Sequence, residues 1–351
     1  MEPVTHMLTG AVMARAGLNR KAASMTLAMA IAAEFPDIDM LWGLLGPVTG
    51  LEHHRGITHT FLGAPFEAAL IASGVWAWQR WRKKTPAPAA NWGWLFGGCL
   101  LALLSHILLD WTNNYGVRPF FPFDAHWYAG SFVFIVEPVM LLLLAMAFVI
   151  PALLGLIGSE VGVRKPQFRG RGWAIAALAG IAVLYAVRST EHDKALEVAA
   201  ENQPDGTTRI FASPQPLNPF TWSVVSDTPG FYQLSTVDSR RGLVEPLAPS
   251  DTRYKPETTL GLLAAKRTYV GRIYLDWSQY PVLSEAKIND DPNHPLTQIT
   301  FGDARFMSVM LGQDMRTNSP LTARVLLDMA APPADRVVQT TMGGRVEKGR
   351  E

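Results

Sequence analysis

The sequence predicts two unlike parts: an α-helical membrane domain, four long transmembrane helices after a short N-terminal helical hairpin, followed by a mostly antiparallel β domain. Three observations lead there. Charged residues make up 17% of the 351, below the roughly 25% of soluble domains. Four long apolar runs, of about the length a bilayer crossing needs, lie between residues 60 and 187. Beyond residue 190 the chain turns polar and rich in Pro and Thr, with short runs that alternate apolar and polar residues.

The elements follow in order. Apolar arms at 4–14 and 22–35 are too short to span and read as a tightly packed or re-entrant hairpin, its tip marked by Arg15, Arg20 and Lys21. These charges and the lack of a basic leading region argue against a cleavable leader. The long runs are 60–78, 92–109, 132–157 and 172–187. Trp76, Trp78, Trp81, Trp92, Trp94 and Trp173 sit near their ends, where amphipathic indoles settle at a bilayer surface. Strands are expected at 207–211, 231–236, 269–276, 297–301 and 323–328. The expected division is 1–190 for the helical domain, 191–335 for the β domain and 336–351 for a polar tail. Cys99, the single cysteine, excludes an intrachain disulfide and any multi-cysteine metal site. A net charge of +1 gives no reason to expect a nucleic acid.

Basic residues set the expected orientation. Arg80, Arg82, Lys83 and Lys84 separate the first two long helices, and Arg164, Lys165, Arg169 and Arg171 the last two. These loops lie two crossings apart, so they share a side, which the positive-inside rule makes cytoplasmic. Segments 36–59 and 110–131, and everything after 189, then face outward from a multi-pass plasma (inner) membrane protein. Seven of the eight histidines fall in or within a turn of those segments.

The polar residues at the outer helix ends carry the chemistry. His6 opens the first arm, and Asp37 and Asp39 close the second in Pro36-Asp37-Ile38-Asp39. Pro36 is expected to hold the residue before it extended. Then come His54-Arg55-Gly56-Ile57-Thr58-His59 and, closing the second long helix, His106 and Asp110 at i, i+4 spacing on one helix face. Of the adjacent pair His53 and His54, the second is favoured. Ionisable groups beside apolar helices are costly, so a cluster on one side wants a common cation. Mixed His and Asp donors suit zinc first, with manganese or iron(II) also fitting, as one ion or two. Arg55 suits phosphate or carboxylate. Glu67, eight residues after His59, falls on about the same face and is placed to support a ligand histidine. Asp124, His126, His192 and His294 find no matching partners and are expected at the surface.

His6-Met-Leu-Thr-Gly10, Pro36-Asp-Ile-Asp39, His54-Arg-Gly-Ile-Thr-His59 and His106-Ile-Leu-Leu-Asp110 resemble, in order and spacing over about residues 1–190, the YdjM family of inner-membrane, metal-dependent hydrolases. Pro216-Leu-Asn-Pro219-Phe-Thr-Trp222 and Phe301-Gly-Asp-Ala-Arg305-Phe resemble the extension of a subset of such proteins. The resemblance implies His6, Asp37, His54, His59, His106 and Asp110 as ligands, with Asp39 a ligand or an orienter. Thr60 stands where serine is common and keeps the hydroxyl. The pattern is similar to zinc sites that hydrolyse phosphate esters. The expected activity is metal-activated attack of water on a phosphoester, with a lipid or other membrane-associated molecule as substrate. Asp39 then acts as general base or holds the water, and Arg55 clamps a phosphate oxygen. The rival expectation is a non-catalytic metal-binding, transport or partner-docking protein. A transport path would place polar groups along several helix middles, where only Glu67 lies.

Overall fold

The computed structural model describes residues 1–82, 89–160, 170–289, 291, 294–310, 313–315, 319 and 321–347. Lys83, Lys84, Arg164, Lys165 and Arg169, used above to orient the chain, lie outside the described residues. The chain divides into two compact units, Met1–Asp39 with Arg55–Thr190, and Met40–His54 with Glu191–Glu351. The sequence reading had put residues 40–54 with the helical part.

The first unit opens with the expected hairpin, α1 (Pro3–Arg15) and α2 (Met25–Glu34). Glu2 caps α1 by accepting the amides of Val4 and Thr5. The two helices nearly touch at Gly10, where a Cβ would lie 2.3 Å from the Met29 carbonyl oxygen and 2.7 Å from the Ala33 Cβ. Small residues let helix backbones approach in this way. After Glu34 the chain does not extend before Pro36, as expected from sequence. Phe35 stays helical (φ −59°, ψ −37°), and a 3-10 helix runs over Phe35–Leu45. The physical reason is that Pro36 has no N–H for the carbonyl four residues back, so the α pattern gives way to the tighter winding rather than to extended chain.

Four longer helices follow: α4 (Ala64–Trp81), α5 (Trp92–Thr112), α6 (Pro138–Glu160) and α7 (Arg171–Glu201), with the short α3 (Pro47–His53) before them. Three stretches are each long and apolar enough to cross a membrane, namely α5, residues Pro138–Ile157 of α6, and α7. A fourth arises if α4 is taken together with the helical segment before it. On α6, Leu142, Val149, Leu153 and Leu156 point outward, as suits a lipid-facing surface. Inside, α2, α4 and α5 share a core of small and flexible residues that includes Ala28, Met29, Ala68, Ala72, Cys99 and Leu103. Arg188 of α7 donates to Glu137, just before α6, at 2.7 Å, and both are buried. The hairpin tip is tied to the end of the unit where α4 stops and α7 starts. Gln79 donates to the Ala23 carbonyl at 2.7 Å, and Arg171 to that of Ala16 at 3.0 Å.

The second unit holds two five-stranded antiparallel sheets. One runs β1 (Arg209–Pro214), β2 (Thr221–Asp227), β3 (Phe231–Asp238), β4 (Leu243–Val244), with β5 (Thr252–Tyr254) also on β3. Numbering on through β6 (Pro281–Lys287), β7 (Leu296–Asp303), the pair β8 (Val309–Met310) and β9 (Gln313–Asp314), β10 (Ala323–Asp328), β11 (Val337–Met342) and β12 (Arg345–Glu347), the other sheet has the order β12-β11-β10-β7-β6. Two expectations are corrected. Residues 269–276, read as a strand, lie in the helix α9 (Tyr269–Trp277), which follows α8 (Leu260–Arg267). Thr268 caps α9, and Val270, Gly271, Tyr274 and Trp277 are buried at helical spacing. Residues 337–347, read as part of a polar tail, form the hairpin β11–β12. Its two-residue turn, Gly343-Gly344, takes the positive φ values (57° and 77°) that such hairpins require.

Asp303 and Arg305 are buried together in this unit, with Arg305 donating at 2.8 Å and Ser278 at 2.6 Å. Burial alone would raise the Asp303 carboxyl. The Arg305 guanidinium outweighs it and holds the group below the ordinary carboxylate range. Such a depressed group stabilises above its unfolded pKa and stops doing so as pH falls through the folded value. Asp303→Asn is therefore expected to cost about 3–5 kcal/mol at neutral pH by stranding Arg305. The gap to wild type should narrow below about pH 4, as read from hydrogen exchange of β7. In the helical unit, Gly10→Leu is expected to lower stability by roughly 1–3 kcal/mol, seen as a lower melting temperature in detergent. Gly74→Leu, where nothing lies within 4 Å, should leave it unchanged.

Candidate metal centre

α5 supplies the first two groups. His106 and Asp110, one turn apart, are both fully buried, with His106 Nε2 3.5 Å from Asp110 Oδ2. The other ring nitrogen of His106, Nδ1, lies 2.7 Å from the Ala33 carbonyl at the end of α2. A carbonyl accepts only, so Nδ1 carries the proton and Nε2 is left with a lone pair facing Asp110. The close passage of α1 over α2 at Gly10 brings in His6 one turn earlier, its ring stacked on His106 at 3.8 Å.

The connection before α4 supplies the third group. A 3-10 turn over Ile57–His59 buries His59 completely. Thr60 fixes that turn, its hydroxyl donating to the Ile57 carbonyl at 2.8 Å and accepting the Gly63 amide at 2.8 Å. This gives the hydroxyl expected at position 60 a structural task. His59 Nε2 lies 3.0 Å from His106 Nε2, 3.3 Å from Asp37 Oδ1 and 3.5 Å from Asp110 Oδ2. Asp37, Asp110, His59 and His106 thus offer one ligand atom each, all within 4.8 Å of one another, and the set can hold a metal ion.

Asp39 stands on the other edge of His59, 3.1 Å from Nδ1. It also accepts the Thr58 hydroxyl and the Arg55 amide, each at 2.9 Å. A carboxylate on the far nitrogen of a ligand imidazole fixes its tautomer and raises its basicity. Arg55 takes a left-handed backbone conformation (φ 55°), which turns its amide to Asp39. For a residue other than glycine that costs of order 1–3 kcal/mol. Its side chain returns to the cluster, donating to Asp110 at 2.9 Å and to the Gly116 carbonyl at 2.6 Å, over the Tyr115 ring.

The fit to a cation rests on what is left unmet. Asp110 Oδ2 and both ring nitrogens of His6 are buried and make no hydrogen bond with the described residues, although His6 Nε2 lies 3.3 Å from Asp110 Oδ1. The two Nε2 atoms at 3.0 Å cannot both carry protons without repulsion. Two carboxylates and two imidazoles at this spacing match the donors of zinc and its neighbours. Arg55 and the Met1 amino group already balance part of the charge at Asp110 Oδ1.

The remaining expected residues have contacts of their own. Glu67 Oε2 is buried with no hydrogen-bond partner among the described residues, and no bond to a ligand histidine is seen. His53 and His54 belong to the segment Met40–His54 of the other unit. There His53 stacks on Trp42 at 4.5 Å, and His54 ends α3. His126, His192 and His294 make their contacts with Tyr128, Trp222 and Asp328 respectively. Thr58, Asn113 and the Ala33 carbonyl were missed. Thr58 had a signal, since a hydroxyl beside a candidate ligand can hold its neighbours. The carbonyl had none.

Removing the Thr58 hydroxyl loosens Asp39 and frees the Nδ1 edge of His59, 3.1 Å away, while every ligand side chain stays in place. Thr58→Val is expected to weaken divalent-ion binding by about 10–100-fold, measured by competition with a chromophoric chelator, while the melting temperature of the metal-free protein barely moves. Comparison with known proteins bears on the same residues. A protein of Bacillus subtilis (strain 168), "Uncharacterized protein YfhP", is 25% identical over 115 residues, which is 33% of this chain and 33% of that protein. The match thus spans about a third of the relative's length. No solved structure matches the chain. The family model described as YdjM inner membrane protein matches residues 1–195, more than half of the chain and all of the helical cluster above. The chain therefore belongs to the YdjM inner membrane protein family.

Proposed function

We propose that this protein is a membrane-bound, metal-dependent hydrolase that cleaves a phosphoester, with a membrane lipid as the substrate class. One observation carries the reading: four buried donor atoms, from Asp37, His59, His106 and Asp110, converge within 4.8 Å beside an arginine. When bound there, a divalent ion, zinc in first place, supplies Lewis acidity and activates water near neutral pH.

The chain's own residues do the rest. His59 and His106 would present Nε2 to an ion, with Asp39 and the Ala33 carbonyl holding their Nδ1 edges. Asp37 and Asp110 add negative charge and complete the set. Asp39, engaged by three partners, is a positioning residue in this reading, and the general-base role expected from the sequence passes from it. Arg55 keeps Nε buried and without a hydrogen-bond partner among the described residues, a donor suited to a phosphate oxygen. His6, stacked on His106, restrains that ring and lends a nitrogen if a second ion binds. The site lies at the ends of helices rather than along their middles, which favours hydrolysis at the membrane boundary over transport. In this reading the cluster and the β unit face the extracytoplasmic side, as the basic loops suggest.

Metal analysis by mass spectrometry tests the core. Detergent-purified wild type is expected to carry near-stoichiometric zinc or manganese, and His106→Ala with Asp110→Ala to lose it. Release of phosphate or phospho-headgroup from phospholipids should then require the metal, stop with a chelator and return on metal addition. Wild type that stays metal-free after reconstitution overturns the reading. Metal without any phosphoester turnover leaves a non-catalytic metal site in its place.

A further inference from the structure

The metal centre has an apolar neighbour within the same helical unit. A groove of about 510 Å³ runs alongside α5, lined by Leu104, Leu108 and Trp111 of that helix and by Phe61, Phe120 and Tyr128 opposite. Its volume is in the range of small-molecule sites, roughly 300–1,000 Å³. We propose that this groove seats an acyl chain of the phospholipid whose phosphoester lies at the metal centre. The proposal rests on the hydrolase reading and narrows its substrate to a two-part molecule, an anionic head with a hydrocarbon tail.

Continuity between the polar and apolar sites supports this occupant. Apart from Tyr128, each lining residue lies on, or a few residues from, an element that builds the metal centre. Phe61 is two residues beyond His59. Trp111 follows Asp110, and Ile107, also in the wall, follows His106. The loop after α5 holds Arg55 through Asn113 and Gly116, then turns at once into the wall at Val117 and Pro119. The head end also has matching chemistry. Arg55 Nε and Asn113 Nδ2 are both buried donors with no hydrogen-bond partner among the described residues, which suits phosphate oxygens.

The far wall is built, rather than being an ordinary lipid-facing surface. Val117 and Tyr128 exchange backbone hydrogen bonds of 2.9 Å, and the Phe61 amide donates to the Pro119 carbonyl at 2.9 Å. Phe120 meets the rings of Phe61 and Tyr128 edge to face at 5.4 and 5.6 Å. These contacts hold a concave face against α5. The outward leucines of α6, Leu142 and Leu153, are not part of this groove's lining and serve as the internal reference for passing lipid.

The test uses full-length protein in nanodiscs of dioleoyl phosphatidylglycerol containing a diazirine-acyl phosphatidylglycerol. After illumination, labelled positions are mapped by mass spectrometry. Leu104, Leu108 and Phe120 are expected to be labelled well above Leu142 and Leu153. Leu104→Trp, or the more exposed Leu108→Trp, should bring groove labelling down to the α6 level with metal content unchanged. The same variants should lower hydrolysis of the long-chain lipid relative to its dihexanoyl form by about tenfold or more. Equal labelling of groove and α6, or labelling and chain-length preference that ignore both Trp variants, overturns the proposal. Because labelling needs no turnover, the two readings fail separately. Groove labelling without phosphoester cleavage sinks the hydrolase and keeps the acyl site. Cleavage with no chain-length effect keeps the hydrolase and sinks the groove. Enriched proteinaceous cross-links in place of lipid would mark a partner helix as the occupant and overturn the proposal too.

Discussion

The helical unit is organised around a carboxylate that should not be there. Asp110 is fully buried near the end of a helix apolar enough to cross a membrane. An isolated carboxylate in such a place is strongly disfavoured. Arg55 donates to it, and His6, His59 and His106 stand within 3.5 Å of it. These partners come from α1, from the turn before α4 and from α5 itself. Neutralising one charge therefore fixes how three separated stretches of sequence meet. If Asp110 were apolar, His6 of α1 would lose its carboxylate, and the 55–59 turn would be left with Asp37, Asp39 and the loop after α5 as partners.

Several local features make sense as means of reaching that carboxylate. Gly10 removes the side chain that would hold α1 away from Met29 and Ala33, and so sets His6 against His106. At Gly63 a Cβ would meet the Ile57 carbonyl at 2.3 Å, so the turn that presents His59 closes only over a bare backbone. Arg55 accepts a left-handed conformation and gains two anchors, its amide on Asp39 and its guanidinium on Asp110. Backbone strain held in place by surrounding contacts is common at functional sites. Here both anchors belong to the acidic groups of the cluster, so the strain and the charge compensation are one arrangement.

How much of this was legible in the sequence depends on the range of the interaction. The i, i+4 pair His106 and Asp110 was readable because helix geometry alone puts both on one face. The long apolar runs were readable because the bilayer sets their length. The roles within the cluster were less so. Asp39, expected as a ligand, a base or an orienter, meets His59 Nδ1, the Thr58 hydroxyl and the Arg55 amide, contacts that no spacing announces. Only the fold decides which edge of an imidazole a carboxylate meets. Arg188 as the partner of Glu137 needed the register of two packed helices. In the β unit, 269–276 contains enough Tyr, Val and Ile to pass for a strand. The Thr268 cap and the spacing of its buried residues decide for a helix. The 343–344 Gly-Gly turn was a hairpin signal on its face. The polar residues around it hid the strands, which lie at the edge of a sheet and need little apolar content.

The position of the cluster relative to the apolar surface links the fold to its chemistry. For the lipid substrate proposed above, a site deep among helix middles would have to draw the headgroup through hydrocarbon, at the cost that keeps charges out of membranes. A site in water would have to lift a whole lipid out of the bilayer, losing about 0.8 kcal/mol for each methylene exposed. The end of α5 avoids both. Asp110 lies where the helix finishes, with Arg55 donating to it, and the loop from Asn113 to Phe120 runs from a pair of asparagines to Val117, Pro119 and Phe120, with the Arg118 guanidinium laid over the Trp127 ring. An amphiphile can keep its tail in apolar surroundings and bring only its head to the buried donors. This arrangement of polar cluster and apolar loop is what supports the proposal of an amphiphilic substrate, with a head and a tail of opposite polarity.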